Sequence, residues 1–548
     1  MTALDIVLLT ALSLFVVVWW LRKAPYRPVL LLVAALVALA AAIAGVLDDR
    51  WQAMVGLAVA ALMILTLAGV ALRKRWATSR IPFISGTLIA LLTSIAFAAI
   101  LLFPVDPLPR PSGDHPVGTR SFELTDTSRP GVLGAAPNEP RRLLVRVWYP
   151  AANVTGLRPR QYFTTSEARG VSHGLSSVFG PAGSLAYLKH VRTNSFEHAP
   201  LWRADNALPV IFYSHGYALF VGQNTALMEE LASHGYVVFA IQHTRDAAST
   251  HFSDSATVSL DGEFDAEAAR PPSPTSRRAI VGEAFDDRLG GTLDLFHEEL
   301  SRDARVVTRS APHWVLDRLF VHDQIQGGDV PPEIAEIAAA SDLNRVGEMG
   351  MSFGGSTTGA VCLIDARCAA GVNLDGADFH LLALGARMPA PFLMFHSDPR
   401  LIRAALGGQG PGRPFNEFSY EALDAAASAQ APVYRLALRN THHLGLSDLS
   451  LFVRRPVRDP LLGSADADTM IGAQNAFVLG FFDHHLRSRA NGFPDTQLSA
   501  FSGRVERFEN DELRAWWRTL DPTRRSELEA RITQARTAAP SQAIPVRD

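Results

Sequence analysis

The stretch RVGEMGMSFGGSTTGAVCLI, Arg345 to Ile364, carries a short apolar run through Gly350-Met351-Ser352-Phe353-Gly354 into a helix-forming segment. It reads as a nucleophile elbow. In G-x-S-x-G the serine sits on a strained strand-to-helix turn, and a side chain two residues to either side would strike neighbouring backbone. The turn lifts the Ser352 hydroxyl clear of a sheet, at a helix N-terminus whose unpaired N–H groups can stabilise an oxyanion.

The same pattern occurs at Gly170-Val171-Ser172-His173-Gly174. Its context argues against a second elbow. QYFTTSEAR, just before it, lacks the apolar run of a buried strand, and no clean helical pattern follows. Ser172 is read as an ordinary loop serine.

Working outward from the elbow, strands and helices alternate. LPVIFYSHGYALF, Leu208 to Phe220, is a buried strand ending at His215-Gly216-Tyr217; a helix over Asn224 to Ser233 and a second strand over Tyr236 to Gln242 follow. Strand, helix, strand is a parallel βαβ unit. GTRSFELTD and RRLLVRVWYP read as two earlier strands with a Gly/Pro/Asn turn region between them, and residues 151–206 resist assignment. Residues 245–310 break the rhythm as an insertion, read as a lid or as disorder. After HWVLDRLFVHDQI, a helix, and the elbow come three further strands: Ala369 to Leu374, PAPFLMFHSD and APVYRLALRN. Long helices are expected over Thr469 to Leu486 and Asp511 to Ala535, with a disordered tail.

A serine is a weak nucleophile until a histidine accepts its proton and a carboxylate fixes that histidine's tautomer. The acid candidates at strand ends are Asp375 and Asp398, and the base candidates are His442 and His443, just beyond the last parallel strand. The oxyanion needs two N–H donors, expected from Phe353, after the nucleophile, and from Tyr217, where Gly216 permits close backbone approach. His215 is expected to order that loop by hydrogen bonding and to take no part in proton transfer.

Length and charge bound the rest. The chain has 548 residues and a net charge of −3, without a basic stripe, which argues against a nucleic-acid partner. Its mean hydropathy, +0.10, owes its positive sign to the first hundred residues. Four apolar spans are read there, Leu4 to Leu21, Val29 to Leu47, Trp51 to Leu72 and Phe83 to Phe103, each long enough to cross about 30 Å of hydrocarbon. They are read as free of intramembrane ionisable groups, and so as an anchor for which a transport role has little support. Span one lacks a basic leader and an A-x-A site, so it is expected to be retained. Arg22, Lys23 and Arg27 between spans one and two, and Arg73, Lys74, Arg75 and Arg80 between three and four, place those loops in the cytoplasm. Both termini, and the large domain, then face outward from the cytoplasmic (inner) membrane, toward the periplasm. Trp19, Trp20, Trp51 and Trp76 fit interfacial anchors.

The expected domains are the four spans over residues 1–104, a stiff Pro-rich linker over 105–118 that carries the domain off the bilayer, a catalytic domain over 119–490, and a helical extension over 491–548. Cys362 and Cys368 leave open a disulfide or two buried thiols. His442-His443 and His484-His485 lack metal-ligand spacing, so no metal and no cofactor are expected.

In this order the segments YSHGY, LASHGYVVFAIQHTRDAAS, GMSFGG, GVNLDG and THHLGLSD resemble the plasma-type platelet-activating factor acetylhydrolase family, and its bacterial members, within the α/β-hydrolases. The likeness covers roughly Pro107 to Arg487. It implies an α/β-hydrolase fold, a mostly parallel sheet with helices on both faces, here preceded by the four-helix transmembrane region. It further implies Ser352, Asp375 and His443 as the triad, and calcium-independent hydrolysis of phospholipid esters with short or oxidised acyl chains. Met351, where the family is usually polar, and the long insertion depart from the pattern, so the substrate is not inherited. The expected function is a membrane-anchored serine ester hydrolase acting on a lipid or short-acyl ester, with oligomeric state open. Rival readings are a non-catalytic receptor or scaffold, or a serine peptidase or thioesterase using the same triad.

Overall fold

The computed structural model describes residues 1–72, 81–131, 139–268, 270–410, 412–414, 416–425 and 431–547. The turn region between the first two strands, and the second basic loop with Trp76, lie largely or wholly outside them. The chain divides into two compact units: one holds residues 1–108, 161–192 and 451–458, the other 109–160, 193–450 and 459–548. Segments 161–192 and 451–458, read from sequence as part of the catalytic domain, thus cluster with the spans.

In the first unit, helices α1 (Ala3–Trp20), α2 (Arg27–Leu47), α3 (Ala53–Leu72) and α4 (Ile81–Leu102) are long and apolar enough to cross a membrane. One expectation fails here. Asp5 lies inside the first span, buried in an ion pair with Arg50 at 2.9 Å. A buried charge persists only when paired, and Arg50, at the α2–α3 turn, is the pairing charge. Trp19 is no interfacial anchor either: it is buried and stacks on Phe15. Asp48 and Asp49 meet Lys189 at 2.9 and 2.8 Å, and Trp51 Nε1 donates to the Ser184 carbonyl at 3.0 Å.

The second unit is built on a sheet whose strands are β1 (Val117–Pro130), β2 (Pro140–Pro150), β3 (Pro159–Gln161), β4 (Arg192–Glu197), β5 (Leu208–Ser214), β6 (Val237–Gln242), β9 (Ser341–Met351), β10 (Cys368–Leu374), β11 (Phe392–His396), β12 (Val433–Leu438) and β13 (Val505–Phe508); β7 (Ser249–His251) and β8 (Thr257–Ser259) form a separate hairpin. The order is β13-β12-β11-β10-β9-β5-β6-β2-β1-β4-β3. From β12 to β6 every pairing is parallel, while β2 and β13 flank that block antiparallel. Parallel strands covered on both faces must be apolar throughout. Val210 to Tyr213, Val237 to Ile241 and Phe392 to Phe395 are accordingly buried along their whole lengths.

The structure departs from the sequence reading in three further places. Linker residues are held against the second unit rather than running free as an extended spacer: the Ser112 N–H donates to Glu230 at 2.8 Å, and the His115 N–H to the Ser233 carbonyl at 3.1 Å. The C-terminal stretch contributes strand β13, and its long helix is two, Asp511–Thr519 and Pro522–Ala538, because Pro522 cannot continue the first. The tail packs too, with Ile544 buried and the Arg547 N–H donating to the Ile364 carbonyl at 2.6 Å. The insertion, read as lid or disorder, holds the β7–β8 hairpin and helices Pro274–Val281 and Phe285–Ser301.

Candidate active site

Strand β9 delivers Ser352 to the sheet's carboxyl edge at φ 56°, ψ −118°, and the helix Phe353–Ile364 begins at the next residue. That conformation holds only because the chain on either side can cross at van der Waals range. A Cβ on Gly350 would fall on the Gly354 carbonyl, and one on Gly354 would fall on the Ser214 carbonyl. The Ser352 N–H donates to the Leu374 carbonyl at 2.8 Å, so β10 steadies the turn.

Asp375 follows β10 directly and His443 follows β12. His443 Nε2 lies 2.8 Å from Ser352 Oγ, and His443 Nδ1 lies 2.7 Å from Asp375 Oδ2. The Asp375 side chain is 3% exposed against 42% for His443, so the carboxylate is inside and the imidazole faces the opening. Burial by itself would raise the Asp375 carboxyl. The His396 and His443 rings outweigh it and hold the group well below the usual carboxylate range, ionised through any working pH. The other oxygen, Oδ1, accepts the Ser397 N–H at 3.0 Å.

The remaining candidates separate cleanly. Asp398 caps the helix Pro399–Ala405, accepting the N–H groups of Arg400 at 3.1 Å and Asn440 at 2.9 Å. His442 lies beside the base in sequence, and its N–H donates to the Leu462 carbonyl at 3.0 Å. Ser172 is a helix residue, inside Thr165–Gly174, where a loop was expected; buried, its Oγ accepts the N–H groups of Gly183 and Leu185, each at 2.9 Å. Cys362 and Cys368 form a disulfide within this unit. His484 and His485 close the helix Ala467–His485.

On the oxyanion side, a Cβ on Gly216 would lie 3.3 Å from Ser352 Cβ, and the Tyr217 and Phe353 rings are 5.5 Å apart. The Gly216 N–H donates to Gln223 Oε1 at 2.7 Å. His215 is fully buried, and its protonation follows from its partners. The His243 N–H donates to Nε2 at 3.2 Å, so Nε2 is the acceptor; Nδ1 carries the proton and donates to the Gly216 carbonyl at 2.7 Å. Burial, with His243 nearby, pulls the His215 ring down to about 3, keeping it neutral. The Gly216–Tyr217 peptide is thereby fixed, and its N–H points away from the carbonyl that His215 holds.

Several of these partners escaped the sequence reading. Behind the strand end, Ser214 Oγ lies 2.8 Å from His243 Nε2, and His243 Nδ1 lies 2.9 Å from Asp317 Oδ2. This buried Ser-His-Asp set braces β5 and β6 against the helix Ala311–Gly327. Arg141 and Arg318 complete it, donating to Asp317 and Ser214. The signal present in sequence for the base loop was its aspartate. Asp448 accepts the Ala226 N–H at the start of the helix Thr225–Ser233, and Asn224 Nδ2 holds the Leu446 carbonyl at 2.8 Å, which sets where His443 can reach.

Residues 103–267 match the model of the family described as platelet-activating factor acetylhydrolase, isoform II. A ferulic acid esterase from Streptomyces cinnamoneus superposes with a TM-score of 0.51 at 22% identity, over 74% of this chain and 100% of that one. The large unit has the α/β-hydrolase fold. The resemblance carried by the YSHGY and LASHGYVVFAIQHTRDAAS segments is borne out, since both fall inside the matched residues. Comparison with curated proteins gave no match. Within the hydrolase frame, strand ends β5, β9, β10 and β12 converge on one edge, where such folds carry their reacting groups.

Proposed function

We propose that this chain is a membrane-anchored serine hydrolase that cleaves carboxylic esters of lipid or short-acyl type. The observation that carries the reading is the continuous chain of hydrogen-bond distances from Ser352 through His443 to Asp375. His443 Nε2 takes the Ser352 proton as Oγ attacks the ester carbonyl, and the N–H groups of Phe353 and Tyr217 receive the oxyanion. Protonated His443 then gives its proton to the departing alcohol. Water, deprotonated by the same imidazole, attacks the acyl-enzyme and releases the acid. Asp375 keeps the proton of neutral His443 on Nδ1 and steadies the imidazolium between steps.

The four spans support anchoring, and the basic residues between spans one and two support an outward-facing domain. An anchor concentrates the enzyme at a lipid surface, which favours a substrate borne by the membrane or envelope. One experiment reads both claims. A membrane-impermeant fluorophosphonate applied to intact spheroplasts is expected to label wild type and Ser172→Ala, and to leave Ser352→Ala unlabelled. Labelling of Ser352→Ala would end the site assignment; labelling that appears only after lysis would end the orientation.

His215 acts as a positioning residue for the oxyanion. His215→Ala frees the Gly216–Tyr217 peptide to rotate, and kcat is expected to fall by about 10²-fold, the scale of one lost oxyanion donor, with KM little changed. His215→Gln, whose amide can donate to the same carbonyl, is expected to recover part of the loss. A uniform loss in both variants, tracking lower thermal stability, would show that His215 is only core.

A further inference from the structure

The two ends of the insertion meet beside the loop that carries Tyr217. Asp246 stands at the near end and Arg305 toward the far one; each side chain is 2% exposed, and they pair at 2.6 Å. Asp246 is a three-way junction. Its main-chain carbonyl accepts the Ala218 N–H at 2.8 Å, its Oδ1 accepts Arg305 Nη2, and its Oδ2 accepts Trp314 Nε1 at 2.8 Å. The two peptides that flank the Tyr217 α-carbon are therefore held separately, the first through the Gly216 carbonyl by His215 and the second through the Ala218 N–H by Asp246. Ala218 sits at φ 63°, a conformation that a residue with a Cβ keeps only when its surroundings impose it. The Ala248 N–H adds a second tie, donating to the Leu219 carbonyl at 2.8 Å.

Trp314 extends the junction to the other oxyanion donor. Its indole meets the Phe353 ring edge to face at 4.8 Å and stacks on His243 at 3.7 Å. Arg305 is placed in turn by the insertion: its Nη1 lies 2.8 Å from Asp261 Oδ1, and its Nη2 also reaches the Arg245 carbonyl at 3.3 Å. A buried carboxylate persists only with its cation, so Asp246 keeps its orientation as long as Arg305 stays in place.

We propose, resting on the esterase reading, that Asp246 is a positioning residue for the oxyanion: paired with Arg305, it fixes the direction of the Tyr217 N–H, and the foot of the insertion is thereby a fixed part of the catalytic apparatus. Asp246 itself touches no substrate. The ester carbonyl of the bound substrate gains little from that N–H; the gain comes as Ser352 Oγ adds and charge collects on the oxygen, so a misdirected donor lowers kcat and spares KM. In Asp246→Asn the amide offers one acceptor oxygen to two donors, and either Arg305 or Trp314 Nε1 is left facing an N–H group.

The test assays the full-length protein in detergent on p-nitrophenyl acetate, with inhibition by an aliphatic trifluoromethyl ketone as the second readout. The ketone carbon bonds to Ser352 Oγ, the hydroxyl proton passes to His443, and the carbonyl oxygen stays in the hole as an oxyanion. Asp246→Asn is expected to lower kcat about 10²-fold, with KM within about threefold, and to raise the ketone's inhibition constant by about the same 10²-fold. Arg305→Met should match it, and the double variant should be no worse than either single, because both remove one device. Arg305→Lys keeps a cation and gives up the planar fork; about a tenfold change in both kcat and the inhibition constant is expected, and this variant decides the matter if the neutral ones do not fold. Unchanged kcat, a loss of kcat with the inhibition constant unchanged (the signature of a smaller folded fraction), or losses that multiply in the double variant overturns the proposal. Fluorophosphonate labelling of wild type alongside any of these leaves the esterase reading standing, and its absence in wild type removes both.

Discussion

His443→Ala is expected to lower kcat for any ester the protein turns over by roughly 10⁶-fold, while His442→Ala changes it only a few-fold. The size follows from the unity of the set: without an acceptor at 2.8 Å the Ser352 hydroxyl is an ordinary alcohol, so losing the base costs about as much as losing the whole triad. What remains is the catalysis that binding and the oxyanion donors supply. His442 lies one residue away, yet its backbone is tied to Leu462 and neighbouring side chains on an extended backbone diverge. Initial rates on a soluble ester, with the rate of fluorophosphonate labelling as a second readout, separate the two variants. Equal impairment of both would mean that the damage lies in the loop.

Asp375→Asn is expected to reduce kcat by about 10⁴-fold, with Asp398→Ala close to wild type in rate. The reason lies in which way the new amide must face. The Ser397 N–H donates to Oδ1 of residue 375, so the asparagine oxygen stays there and the amino group turns toward His443 Nδ1. An N–H facing Nδ1 forces the imidazole proton onto Nε2, the nitrogen that must accept from Ser352. Geometry survives and the tautomer is wrong. Asp398→Ala instead loses a helix cap, a cost of about 1 kcal/mol in stability, read as a lower thermal midpoint with kcat preserved. A large rate loss at 398 and none at 375 would move the acid one strand later.

The mistaken expectations share a cause. The first span was read as free of charge although Asp5 lies inside it; its partner, Arg50, is 45 residues away, and only the fold brings the two together. The 491–548 stretch resembled an extension because a strand as short as Val505–Phe508 has no periodicity to detect, and only its pairing with β12 reveals it.

What the sequence by itself determined is local and periodic: four apolar spans, the alternation of apolar strands with helices, and an elbow whose Gly350 is demanded by steric contact with Gly354 four residues on. These follow from the chain's own geometry, which needs no distant partner. Choosing between Asp375 and Asp398, and between His442 and His443, took a family resemblance at the sequence level, and it was tertiary structure that brought one of each to Ser352. The reason is physical. A triad depends on distances of under 3 Å between residues 23 and 91 positions from the nucleophile, and such distances are set by the order in which strands pair and by which loop each aspartate caps.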